Sequence, residues 1–166
     1  MNRQQRLLIV GASGLVGGNC LRLFSAKKEE YLVMGTYFSF PTEGTRFYDT
    51  LNPANPDNAR LEDFQPDVIL HTGALTHVDY CEQHPDESYE KTVVSTRNLL
   101  AVAKQLGAKF IYISSDYVFD GKEGPYEEDA AINPISVYGR HKWEAEELVR
   151  AALPDNHLIL RITNVY

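Results

Sequence analysis

Leu7-Leu8-Ile9-Val10-Gly11-Ala12-Ser13-Gly14-Leu15-Val16-Gly17 is the stretch whose reading decides the fold. Four apolar residues in a row suit a strand buried on both faces. Glycines spaced by three then lead into Leu15–Ala26, where Leu15, Cys20, Leu23 and Phe24 recur at helical intervals. Strand, glycine turn and helix in that order suit a diphosphate. Gly11 permits the tight turn, Gly14 lets backbone approach the anion, and Gly17 lets helix and strand pack closely. The helix start adds unpaired N–H groups and a partial positive charge. Gly11, Ser13, Gly14, Leu15, Val16 and Gly17 are therefore the candidate cofactor loop. The spacing is G-x-x-G-x-x-G rather than G-x-G-x-x-G, and a plain strand-to-helix turn is the competing reading. Placement directly after the first strand favours the cofactor.

Outward from this unit, apolar runs alternate with helical patterns. Strands are predicted at Tyr31–Tyr37, Arg46–Tyr48, Val68–Leu70, Phe110–Ile113 and His157–Ile162. Asn52–Asn58, rich in Pro and Asn, reads as a loop, followed by a short helix within Asp57–Phe64. Pro85 opens a helix running to about Leu106, stopped by Gly107, and Val137–Ala152 is a second long helix ended by Pro154. This alternation predicts an α/β fold. It is a doubly wound parallel sheet in three α/β/α layers, of order 3-2-1-4-5-6, with ligand at the carboxyl ends of the strands.

The second strand should end at the ribose of a dinucleotide, where an acid favours NAD(H) and a base favours the 2′-phosphate of NADP(H). Thr36-Tyr37-Phe38-Ser39 offers no acid. Ser39 is a candidate phosphate ligand with Arg46 nearby in sequence, which leans to NADP(H) and leaves NAD(H) open. Asp49 is placed to accept from an adenine amino group or, equally, to cap a turn.

Tyr138 and Lys142 stand four residues apart, one turn along one helical face. An ammonium beside a phenol stabilises phenolate and lowers the tyrosine pKa, so that the phenol exchanges a proton with a carbonyl oxygen as hydride moves. Lys142 also suits a bond to the nicotinamide ribose. Ser115, with Ser114 as second choice, ends the fifth strand where such a carbonyl would be held.

Net charge is −7. That argues against nucleic acid or an anionic membrane as partner, since both need a basic face. Cys20 and Cys81 are too few for a disulfide or metal framework and read as reduced thiols. His71, His77, His84, His141 and His157 lack the paired carboxylate or cysteine spacing of a metal site, so none is expected. No apolar run approaches a membrane span and the start shows no signal peptide, which leads to the expectation of a cytoplasmic protein. Glu144, Glu146 and Glu147 read as a solvated helix face beside Lys142 and Arg150. Trp143 and Leu148 read as core or as the surface of a homodimer.

With these residues in view, the chain resembles the extended short-chain dehydrogenase/reductases over nearly its whole length. Gly11–Gly17 matches their glycine loop and Tyr138…Lys142 their catalytic pair. Tyr112-Ile113-Ser114-Ser115-Asp116-Tyr117-Val118-Phe119-Asp120-Gly121 is similar to the nucleotide-sugar reductases that include dTDP-4-dehydrorhamnose reductase. His71-Thr72-Gly73-Ala74-Leu75-Thr76-His77-Val78-Asp79, Asn133-Pro134…Val137-Tyr138-Gly139 and Leu160–Tyr166 add to the likeness. The resemblance implies a Rossmann-like fold and NAD(P)H-dependent reduction of a 4-keto nucleotide sugar. It implies Ser115, Tyr138 and Lys142 as catalytic triad, Thr72, Gly73 and Ala74 against the cofactor, and Thr76, Asp116 and Tyr117 near the substrate.

Thr92 stands where the family often has a supporting asparagine. Family members also carry a second, C-terminal substrate domain. Residues 1–166 are accordingly expected to be the cofactor-binding domain of a longer chain, inactive alone. Two other classes share the resemblance: epimerases or dehydratases that keep the nicotinamide bound, and the non-catalytic regulatory beta subunit of methionine adenosyltransferase, which carries a very similar Ser-Ser-Asp-Tyr-Val-Phe-Asp-Gly segment.

Overall fold

A computed structural model describes residues 3–163, so Asn164, Val165 and Tyr166 of the last resemblance segment lie outside the described residues. Six strands form one parallel sheet: β1 Gln5–Val10, β2 Tyr31–Tyr37, β3 Thr45–Phe47, β4 Val68–His71, β5 Lys109–Ser115 and β6 His157–Ile162. Their order is β3-β2-β1-β4-β5-β6, the doubly wound order expected from the alternation. The helices are α1 Leu15–Ser25, α2 Leu61–Phe64, α3 Val78–Gln83, α4 Pro85–Tyr89, α5 Ser95–Leu106 and α6 Val137–Ala152. Among the described residues no helix is long and apolar enough to cross a membrane.

Strand alternation divides the core between the two faces. Leu8, Val10, Ile69, Phe110 and Tyr112 point to Leu99, Leu100 and Ala103 of α5 and to Ala145 and Val149 of α6. Leu7, Ile9, Val68 and Leu70 point to Cys20, Leu21 and Phe24 of α1 on the opposite face. Leu8, Ile9 and Ile69 are fully buried, each contributing about 1.5–3 kcal/mol of hydrophobic stabilisation. Leu158 and Leu160 of the edge strand β6 pair with Ile111 and Ile113 on the α1 side yet stay about two-fifths exposed.

The local differences from the sequence reading have physical causes. The helix expected within Asp57–Phe64 begins at Leu61, because Asn55–Asn58 closes its own turns. The long helix from Pro85 is interrupted by a π-helical turn, Glu90–Val94, centred on buried Thr92. Helix α3 was not expected. It is capped by His77, whose Nδ1 accepts from the Tyr80 N–H at 3.1 Å, a residue outside the usual capping set.

Strand β4 ends in His71, 1% exposed, with neither ring nitrogen bonded to a protein group. Its ring packs against Phe110 and Tyr112. Burial, with the Lys142 charge as a second cause, lowers its pKa to about 3.

At Gly17 a Cβ would overlap the carbonyl oxygen of Gly11 and sit 2.6 Å from Thr72 Oγ1, whereas at Gly14 the nearest atom is 3.4 Å away. Gly17→Ala is therefore expected to lower stability by about 1–3 kcal/mol and Gly14→Ala by much less, read as denaturant midpoints. For His71, the folded pKa lies below the unfolded value of 6.5. The unfolded state takes up the extra proton in between, so stability falls as pH drops from about 6.5 toward 3. The slope of stability against pH in that window should be shallower in His71→Phe.

Candidate active site

A groove of about 700 Å³ runs along the carboxyl ends of the strands, from the glycine loop after β1 to the first turn of α6. It opens where β1 and β4 part, the switch point of the strand order. Gly11, at φ +85°, makes the turn. Thr72, following β4, donates through Oγ1 to the carbonyls of Val10 at 2.9 Å and Gly11 at 3.2 Å, tying the loop to the sheet. Gly14 is the N-cap of α1 and supplies no capping side chain, which leaves the first-turn N–H groups to whatever occupies the groove. Gly14 and Ser13 line it, as do Leu15, Val16 and Gly17. The cradle is thus open to a diphosphate, and the residues present fit one.

At the far end of β2, Thr36 is 1% exposed, lines the groove and has an unpartnered Oγ1. Ser39 lines the groove with Phe38 and Phe40, the latter 79% exposed. Arg46 does not line it, so the basic neighbour weighed for a 2′-phosphate is absent from this wall. Asp49 lines the groove and accepts from the Leu51 N–H at 2.9 Å, closing a turn.

The opposite end gathers Ser115 from β5 and Tyr138 and Lys142 from α6, with Thr72, Gly73, Ala74, Thr76 and Tyr117 along the wall. The start of α6 is fixed tightly. Ser136 caps it by accepting from the Gly139 N–H at 3.0 Å, and Glu82 of α3 accepts from the Val137 N–H at 2.5 Å. Gly139 is required by contact: a Cβ there would overlap the Tyr117 carbonyl. Tyr117 stands edge-on to Tyr138 with ring centroids 5.6 Å apart. Asp116 does not line the groove. It accepts from Ser115 Oγ at 3.1 Å.

The electrostatics differ from the expectation of an acidified phenol. Burial raises the Tyr138 pKa, and the adjacent Ser115 hydroxyl only partly counters it. Lys142 Nζ donates to the Ile113 carbonyl at 2.8 Å and lies over the Tyr112 ring, 5.9 Å from the Tyr138 ring centroid. Burial lowers its pKa to about 8, against an upward pull from Glu146.

Two features escaped the sequence reading. Lys91 of the π-helical turn and Ser95, the first residue of α5, reach the groove wall. Glu146, read as solvated with Glu144 and Glu147, is fully buried and bonded to Arg150 and Arg161. Arg161 lies in β6, too far along the chain for helix spacing to reveal the pairing.

The comparisons agree with this architecture. The RmlD substrate binding domain family matches residues 5–166. Methionine adenosyltransferase 2 subunit beta from Xenopus tropicalis is 37% identical over 98% of this chain and 47% of its own length. Among solved structures, the hypothetical dTDP-4-dehydrorhamnose reductase of Sulfolobus tokodaii superposes with a TM-score of 0.84 at 36% identity, over 98% of this chain and 57% of that one. The dTDP-4-dehydrorhamnose reductase of Bacillus anthracis, solved in complex with NADP, gives 0.84 at 28% identity over 100% and 56%. The chain therefore spans about half the length of the relatives it matches. With its glycine-loop groove and its Ser, Tyr and Lys at the far end, the chain belongs to the RmlD substrate binding domain family of the extended short-chain dehydrogenase/reductases.

Proposed function

We propose that this chain holds a nicotinamide dinucleotide, NADP(H) or NAD(H), and serves the reduction of a 4-keto nucleotide sugar. The observation that carries the reading is convergence. One groove begins at a helix start open to a diphosphate and ends at Ser115, Tyr138 and Lys142. A nicotinamide bound there supplies the hydride. Gly11, Ser13 and Gly14, with the first turn of α1, hold the diphosphate. Ser39 and Asp49 face the adenosine half, and Thr72, Gly73 and Ala74 form the wall toward the nicotinamide. Lys142 bonds the nicotinamide ribose.

In this reading Ser115 holds the carbonyl of the sugar and the Tyr138 phenol donates the proton to its oxygen. A phenol raised by burial stays protonated at neutral pH, as a donor must. Thr76 and Tyr117 face the sugar, and Asp116 orients Ser115. Residues 1–166 then form the dinucleotide-binding domain of a longer chain. The length of the relatives and the partly exposed Leu158 and Leu160 support this.

A second reading is a non-catalytic regulatory subunit. It is favoured by the 37% identity to methionine adenosyltransferase 2 subunit beta across 98% of this chain. The retained Ser115, Tyr138 and Lys142 favour the reductase.

Calorimetric titration with NADPH and NADH tests the groove. Both arms of the proposal expect binding, and Gly14→Val should abolish it by filling the space of the diphosphate. Unchanged affinity in that variant removes the loop from cofactor binding. In the full-length protein, Tyr138→Phe should keep NADPH affinity while lowering turnover of a 4-keto nucleotide sugar by about 10²–10⁴-fold. If the wild type turns over none of a panel of nucleotide sugars and instead captures a methionine adenosyltransferase, the regulatory reading replaces the reductase.

A further inference from the structure

Lys91 lies in the π-helical turn Glu90–Val94, which follows α4 and leads into α5. Such turns shift the register of a helix and recur at functional sites. Here Thr92 is buried, while Lys91 and Ser95, four residues apart, both reach the groove.

Contacts on either side locate Lys91 along the groove. Ahead of it, Ser88 Oγ bonds His141 Nδ1 at 2.9 Å, on the helix that carries Tyr138 and Lys142. Beyond Ser95, Asn98 Nδ2 donates to the Thr50 carbonyl at 2.9 Å, beside Asp49. Lys91 and Ser95 therefore stand between the Tyr138 end and the Asp49 end. The glycine loop holds the same middle position on the sheet, because β1 lies between β2 and β4. The middle of a dinucleotide is its diphosphate.

Charge singles out the same side chain. Among the described residues lining the groove, Lys91 and Lys142 are the basic ones and Lys142 is buried with Nζ on the Ile113 carbonyl. The glycine loop offers N–H groups and only a partial positive charge. Lys91, its side chain 38% exposed, instead pairs with Glu87 Oε1 at 2.5 Å. Glu87 does not line the groove, and its other oxygen accepts from the Tyr80 hydroxyl at 2.8 Å. An ion pair this exposed is weak, so a diphosphate can draw the ammonium away from it.

We infer that Lys91 is a diphosphate-binding residue, a counter-charge across the groove from the glycine loop that Glu87 holds in reserve until the anion arrives. The inference rests on the dinucleotide reading of the groove. A lysine that merely stabilised its helix through Glu87 would leave ligand affinity unchanged when either partner is altered.

The test is calorimetric titration of the full chain with NADPH, NADH, ADP-ribose and dTDP. Lys91→Met should weaken NADPH, NADH and ADP-ribose alike by about 10–100-fold, the worth of a charged hydrogen bond, and should flatten the fall of affinity with salt. Lys91→Arg should restore most of the affinity. Glu87→Gln, which frees the ammonium, should tighten ADP-ribose by about two- to fivefold, and Lys91→Met in the same chain should cancel that gain. ADP-ribose bound as tightly by Lys91→Met as by wild type overturns the inference. So does a loss confined to NADPH, which would place Lys91 at the 2′-phosphate, or one confined to dTDP, which would assign it to a nucleotide sugar. In each of those cases wild-type binding of NADPH leaves the dinucleotide reading standing, whereas wild type that binds neither dinucleotide overturns both.

Discussion

The close approach of Gly11, Gly17 and Thr72 is the constraint on which the rest depends. Helix α1 meets β1 so closely that Gly17 has no room for a methyl group, and the Thr72 hydroxyl from the β4 side bonds the carbonyls of the same loop. The β1–α1 unit and the segment after β4, some 60 residues later, are thereby held at one point, where the sheet changes direction of travel. The start of α1 is aimed across the open crevice as a result. Loosening any of these contacts would move the glycine loop relative to the far wall of the groove.

The far wall is organised by a second principle, burial of polar groups at the end of the sheet. Lys142, His71, Tyr112 and Tyr138 crowd the layer between the strands and α6, and burial disfavours the charged form of each. The lysine alone among them stays mostly charged at neutral pH, helped by Glu146 behind it. The phenol stays protonated. That combination suits donation of a proton at neutral pH and does not require the lysine to acidify the tyrosine.

Much of this was legible in the sequence. The continuous apolar strands, the glycine loop and the order of serines and Tyr–Lys along the chain implied the strand order and brought the proposed residues to one groove, with Asp116 displaced behind Ser115. What escaped depends on contacts between distant segments. Glu146 looks solvated on a helical wheel because its partner Arg161 arrives from a later strand. Gly139 looks like an ordinary residue of a Tyr-x-x-x-Lys spacing until the Tyr117 carbonyl is placed against it. The π-helical turn at Thr92 has no periodic signature over five residues. Arg46 was near Ser39 along the chain, but β3 does not bring it to the groove.

In the proposed function, glycine loop and Tyr138 address a single extended ligand. A crystal structure of the protein with NADPH tests this most directly. The diphosphate is expected against the first turn of α1 and the nicotinamide ring beside Tyr138 and Lys142, within one groove. NADPH found elsewhere on the molecule, or with its nicotinamide turned away from Tyr138 toward solvent, would contradict it.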